Sequence, residues 1–507
     1  MGETNLMFGK ETFNNKEKIQ KFLDIFVFIF LIIQPIFDLK IFYNSISTLI
    51  RVIIIGVLFL FYFFLSTNKK KYWLALYPTI ILIYFIFHHI HAINFNSLVP
   101  GNFNYSIFTE ILYFVKMITP FLLIYILYKS NLKYEKIFNI IRYIVLIIGL
   151  IIIISNIFMF SYGSYSDQII KANFFSWFSN TDYTYQDLAS KGLFEYANQI
   201  GAILLMFLPF CLLQSIREKN IINILTLLVN ILSLFLLGTK VSVLGIFIVF
   251  VYTITIYVFY KKIIVKNKLP IVSFSIPLII LLCYSLIISN NPIFMRIDET
   301  KTIEASSTAV TEETIKTQEA ENNNENPEIN NIGNNNLDLL KYIEENYKEK
   351  QIKEEFITQS YPYQYDTEFW LNIFDEPLYN RVDYRFIEEA MIKRVIELNN
   401  NKYDIVLGIS NTRVQNIFNI ERDFIVQYYA LGIIGIIIIF LPYFAFIFKY
   451  IYNILTSKFK NFTLINSTSF ITIIMVFCIS YLTGNLLNSL SFTIYFALLF
   501  NLIMKNY

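Results

Sequence analysis

Apolar runs and short polar connections alternate along most of this chain, and each run approaches the ~20 residues that a helix needs to cross a bilayer. Twelve blocks emerge, at 22–37, 47–66, 73–92, 109–128, 138–158, 193–215, 220–238, 242–260, 271–290, 424–448, 467–484 and 488–504. The first is short enough to be a tilted or a re-entrant segment. A cleaved leader is not expected there, because Gln34-Pro35 interrupts the run and no small-residue cleavage site follows. The pattern predicts an all-α polytopic membrane protein of about 12 transmembrane helices, nine in 1–290 and three in 424–507. Between the ninth and tenth blocks the alternation stops, and residues 291–423 form one long polar loop.

Composition sharpens that contrast. Hydrophobic residues make up 56% of the chain and the mean hydropathy is +0.53, above the level of soluble domains. The loop holds 26 of the 38 acidic residues and 14 of the 41 basic ones, so a net charge of +3 conceals −12 in the loop and +15 elsewhere. Lysine and arginine gather in one alternating set of connections, from Lys10, Lys16, Lys18 and Lys21 through Lys69–Lys71 and Lys261–Lys262 to Lys505. The other set of short connections offers only Lys40, Lys171, Lys191 and Lys240. Positive connections stay inside, so both termini are expected in the cytoplasm and the acidic loop outside. Cys211, Cys283 and Cys478 all fall within predicted spans, so the loop must fold without disulfides. Abundant Ile, Asn, Lys, Phe and Tyr point to an AT-rich bacterial genome.

The loop is itself divided. Residues 300–336 are polar, acidic and nearly free of aromatics, and read as disordered, since they bury too little apolar surface to offset ordering entropy. Residues 337–423 read as a partly helical lid. Leu337 to Ile357 resembles a charged surface helix, and YPYQYDTEFWLNIF (361–374) is aromatic-rich around Trp370. In 380–398 the spacing puts Phe386, Ile387, Ala390, Met391 and Val395 on one helical face, with Arg381, Arg385 and Glu388 flanking it. YDIVLGIS (403–410) is a short apolar piece with Gly408 as its turn.

Four segments resemble the O-antigen ligase and polymerase superfamily of bacterial surface-polysaccharide membrane enzymes. They are GLFEYANQIGAILLMFLP (192–209), LLGTKVSVLG (236–245), the Arg-bearing stretch 381–398 followed by VLGIS, and IERDFIVQYYALGIIG (420–435). Their order and the late position of the large loop are also similar to that superfamily. Where its ligase branch typically carries a histidine, this chain has Glu421 and Asp423, and Lys240 stands where an arginine is usual. The Glu-x-Asp form is similar to relatives in bacteria with a single membrane.

The resemblance implies transfer or polymerisation of a glycan from a polyprenyl-pyrophosphate carrier onto an acceptor hydroxyl, at the outer face of the bacterial cytoplasmic membrane. It implies a lipid-linked oligosaccharide donor, a polysaccharide, glycolipid or protein acceptor, no nucleic acid, no cofactor and no metal. Such a transfer needs a base for the acceptor proton and cations for the departing pyrophosphate. Glu421 and Asp423 are the candidate bases, although a helix start favours carboxylates in any case. Lys240, Lys116, Arg381, Arg385 and Arg51 are the candidate carrier ligands. Each has a plainer reading: Lys116 snorkels, Lys240 is solvated, Arg51 anchors to headgroups, and Arg381 and Arg385 pair with Glu388 and Glu389. Asn198 either binds sugar or bonds to a neighbouring helix. His88, His89 and His91 cluster at the end of the third block with no acidic or cysteine partner expected near them, and read as an interfacial group.

Two rivals remain. A polyprenyl-monophosphate-dependent glycosyltransferase is expected to keep acidic residues in its first outer loop, where Asp38 stands alone. A flippase or transporter of lipid-linked sugars is expected to show internal repeats, and none is visible.

Overall fold

A computed structural model describes residues 2–42, 44–66, 76–95, 99, 104–179, 183–218, 220–269, 271–298, 336–417, 420, 422–482 and 484–504. The stretch read as disordered lies outside them up to residue 335, and so does Glu421. The protein is an all-α polytopic membrane protein, 79% helical with almost no sheet. Each of the twelve apolar blocks overlaps a helix among the described residues. Ten helices among the described residues are long and apolar enough to cross a bilayer, while Ile221–Leu237 and Leu490–Met504 are apolar but shorter.

The chain divides into two compact units. The first comprises Met1–Thr79, Phe114–Met295 and Ile439–Tyr507. Its hub is the helix α7 (Ala197–Arg217), in which every residue from Ile200 to Ile216 is buried. A helix apolar on all sides needs neighbours on all sides. Here they are Tyr134–Ile157, Ile221–Leu237, Lys240–Phe259 and Leu464–Leu482, among others. A two-stranded antiparallel hairpin, Tyr162–Gly163 with Ser190–Gly192, ties down the connection that precedes α7.

The second unit comprises Ile80–Tyr113 and Arg296–Ile438, so the described part of the large loop shares it with stretches of three apolar helices, Leu76–Ile93, Ile107–Lys129 and Asp423–Thr456. Its centre is the aromatic-rich stretch. Trp370 is fully buried and donates its indole N–H to the Tyr361 carbonyl at 2.9 Å. The Tyr361 hydroxyl donates to Asp366, which also caps the helix Thr367–Asp375 through the Phe369 amide. Arg394 closes this core with a forked ion pair to Asp366 and a further one to Glu368. Burial alone would raise the Asp366 carboxyl, but Arg394, the Phe369 amide and Tyr361 together hold it below the usual carboxylate range.

Two helical expectations are shortened. The helix beginning near Leu337 ends at Asn346 and gives way to turns before Phe356. The Arg-bearing stretch is split: Arg381 ends the short helix Leu378–Arg381, Asp383 accepts the Arg385 amide as a new cap, and Tyr384–Asn399 starts afresh. Arg381 and Arg385 therefore do not share one helix face. Asp383 breaks the periodicity because its carboxylate competes for the first free amides.

Candidate functional site

The segment 403–413 joins the loop to the mouth of the tenth apolar helix, and polar groups of the second unit converge on it. Tyr403–Leu407 is a short helix that stops at Gly408, whose φ of +80° few side chains tolerate. The long helix Asp423–Thr456 is interrupted at Gly432, with φ +64° and ψ −178°. A break there frees the preceding helical carbonyls, which a membrane protein must satisfy internally. Ile409 and Ser410 donate their amides to the carbonyls of Tyr429 and Ala430, at 2.9 and 3.1 Å. The Tyr84 hydroxyl takes the Leu431 carbonyl. The two glycines lie back to back: a Cβ on Gly432 would sit 2.5 Å from the Gly408 nitrogen.

Below this knot stand the histidines. His88 Nε2 lies 3.0 Å from Glu110 Oε1, and its Nδ1 lies 2.7 Å from the Leu407 carbonyl. A carbonyl only accepts, so Nδ1 donates to it, and Nε2 is the nitrogen that faces the carboxyl. Glu110 accepts the amides of Asn411 and Thr412 and the Thr412 hydroxyl as well. It thereby caps the helix Asn411–Ile417 from a different helix. His91 Nε2 meets Asp404 Oδ1 at 2.8 Å. Arg413 is buried, donates to the carbonyls of Ala92 and Ile409, and lies over the rings of Phe95 and Tyr105. Burial pushes its guanidinium down to about 10. His88 and His91 thus do have acidic partners, supplied from 22 and 313 positions away, while His89 meets the Tyr105 hydroxyl. Among the described residues, no group of three or more potential metal-holding His, Cys, Asp or Glu side chains is found.

Beside the same knot lies an apolar cleft of 430 Å³, lined among others by Ile80, Ile83, Phe87, Val406 and Ile434. Asp423 is fully buried at the start of its helix. Arg422, adjacent to it, spends its guanidinium on Glu389. Arg381 donates to the Lys350 carbonyl at 3.0 Å, and burial lowers its guanidinium below the ordinary value.

The first unit holds the other candidates. Lys240 is exposed at the first position of its helix, behind a cap made by Thr239 and Ser242. Asn198 is exposed in the first turn of α7, and Lys116 is partly buried in the helix Ile107–Lys129. Arg51 behaves differently. It is 1% exposed and donates to Gln34, Asp38 and Ser491, so its guanidinium is consumed within the unit. Sequence reasoning missed Arg394, Arg413 and the two histidine–carboxylate pairs. The one visible signal was a charged or polar group inside an otherwise apolar block, as at Glu110.

The family model described as O-antigen ligase like membrane protein matches residues 16–506. No curated protein and no solved structure matches the chain. With nearly its whole length covered, the chain belongs to the O-antigen ligase like membrane protein family.

Proposed function

We propose that this family member transfers a glycan from a polyprenyl-pyrophosphate carrier to an acceptor hydroxyl at the outer face of the bacterial cytoplasmic membrane. The family is one of surface-polysaccharide assembly in the membrane, with a lipid-linked sugar donor and a polysaccharide acceptor. The observation that carries the finer reading is the buried carboxylate of Asp423 at the mouth of a membrane helix. It stands where the superfamily resemblance places the proton acceptor.

In this reading both termini are cytoplasmic and the acidic loop faces outward, as the lysine asymmetry favours. Asp423 or Glu421 removes the acceptor's proton. Lys240, Lys116, Arg381 and Arg385 offset the charge that grows on the departing pyrophosphate. Asn198 hydrogen-bonds a sugar hydroxyl. Arg51 is assigned no such part, because it is buried and four of its five N–H groups already go to Gln34, Asp38 and Ser491. The apolar cleft is suited to the carrier's hydrocarbon chain, since it presents no charge to it.

The test is genetic and chemical. Cells lacking the gene should accumulate a complete glycan on its carrier, open to a membrane-impermeant periodate label. Accumulation only on the cytoplasmic leaflet would instead mark a flippase and contradict the transfer reading.

A further inference from the structure

Four lysines stand in the short connections on the sparsely charged side of the sequence. The fold brings three of them, Lys40, Lys191 and Lys240, into one neighbourhood of the first unit. Lys40 follows the first apolar helix, and its amide donates to the Leu193 carbonyl at 2.9 Å. Lys191 lies in the hairpin strand Ser190–Gly192. Both ammonium groups meet the same oxygen of Asp167, at 3.0 and 3.2 Å. Lys40 also lies 4.5 Å from the centre of the Tyr162 ring.

The third lysine reaches this place through its turn. Tyr165, two residues before Asp167, donates its hydroxyl to the Gly238 carbonyl at 2.7 Å. Ala189, two residues before Lys191, packs so closely on Gly238 that a Cβ there would lie 3.0 Å from its methyl. Gly238 and Thr239 lead directly into Lys240, so the module that presents Lys40 and Lys191 also fixes the turn that presents Lys240.

The burial of the pair is lopsided. The Lys191 side chain is 7% exposed, whereas the aspartate that neutralises it is 72% exposed. A lysine is rarely buried unless paired, and here its described ion-pair partner is a surface side chain shared with a second lysine. Ser190, beside Lys191, buries a hydroxyl that has no hydrogen-bond partner among the described residues. Lys40 holds the Asp167 carboxyl below its ordinary range, with Lys191 adding to it, and Asp167 raises Lys40 in turn.

The geometry points to a phosphate subsite formed by Lys40 and Lys191 beside the Lys240 turn, in which the Asp167 carboxylate holds the place of an incoming phosphate oxygen. This rests on the proposed use of a pyrophosphate-bearing carrier. A phosphate group offers the same bridging oxygen as a carboxylate, with more charge and more acceptors. It would displace an aspartate that is itself solvent-facing and shared between two lysines, and would keep the buried Lys191 ammonium paired. The site reads the phosphate chemistry common to a free pyrophosphate, a prenyl pyrophosphate and a phospholipid headgroup.

The experiment uses the purified full-length chain in phosphatidylcholine nanodiscs, titrated with inorganic pyrophosphate and with farnesyl pyrophosphate, and repeated in discs containing phosphatidylglycerol. Lys40→Gln and Lys191→Gln should each weaken binding of both pyrophosphates by about tenfold, the value of one lost charge-assisted contact. Asp167→Asn should strengthen it several-fold. Because Asp167 is exposed, that variant keeps the proposal testable should Lys191→Gln fail to fold. Unchanged or weaker binding by Asp167→Asn would make the trio a structural clasp and overturn the subsite. Binding abolished in phosphatidylglycerol discs would assign it to bilayer headgroups and overturn the carrier version. Tight pyrophosphate binding without any glycan transfer would overturn the proposed function and leave the subsite standing.

Discussion

Arg51 stands in the sequence at the end of a span, where a carrier ligand or a headgroup anchor is a fair expectation. Its surroundings favour a structural part instead, because Gln34, Asp38 and Ser491 arrive from elsewhere in the chain to take its donors. Burying a guanidinium is tolerable only with such partners, and removing it strands Asp38. Arg51→Met should therefore cost about 3–5 kcal/mol of stability. Pairing it with Asp38→Leu should recover most of that loss, because removing both members of a buried pair can be nearly neutral. Thermal unfolding of the purified variants measures this. A variant of normal stability that had lost carrier affinity would restore Arg51 to the site. The histidines teach the same lesson. His91 and Asp404 are partners across 313 positions, and no local pattern marks either for the other.

Secondary elements were legible wherever periodicity was strong. The apolar blocks fell on helices because hydrocarbon compatibility is a property of each run by itself. Gly408 was readable as a turn, since glycine marks positions of positive φ. The interruption at Gly432 was not, because the flanking residues are apolar on both sides and its justification lies in amides donated by Ile409 and Ser410. The split between Arg381 and Arg385 was equally hidden, since a cap overrides a periodicity that runs through it. A Cβ on Gly432 would meet Val406 and Gly408 backbone at 2.5 Å, and its φ of +64° with ψ of −178° is open essentially to glycine alone, costing another residue about 1–3 kcal/mol before any clash. Gly432→Ala should thus destabilise by more than that amount and speed amide exchange over 406–413. Gly56→Ala is the control, because a Cβ at Gly56 meets nothing within 4 Å. It should leave stability equal or slightly raised. Equal exchange in both variants would remove the glycine pair from the account.

For the whole molecule, sequence foretold the class, the order of blocks and the family, because all three are written in composition and in extended motifs. The two-unit division was beyond it. Unit 2 joins Ile80–Tyr113 to Arg296–Ile438, and such a pairing depends on contacts between distant segments. Orientation rests on lysine counts and is open to direct test. Single cysteines at Asn324 and Asn400 should react with a membrane-impermeant thiol reagent in intact cells, and one at Asn267 should not. The reverse pattern would place the acidic loop and Asp423 on the wrong side for chemistry outside the membrane.

The central claim is that a carboxylate at the mouth of the tenth apolar helix takes the proton of the acceptor. Glycan transfer from a lipid-pyrophosphate donor, measured with Glu421→Gln and Asp423→Asn singly and together, tests it most directly. The account predicts normal expression, retained carrier binding and a transfer rate lower by about 10²–10⁴-fold in the variant that removes the base. A double variant transferring at a near-normal rate would contradict it, and would leave the two carboxylates as no more than favourable charges at a helix start.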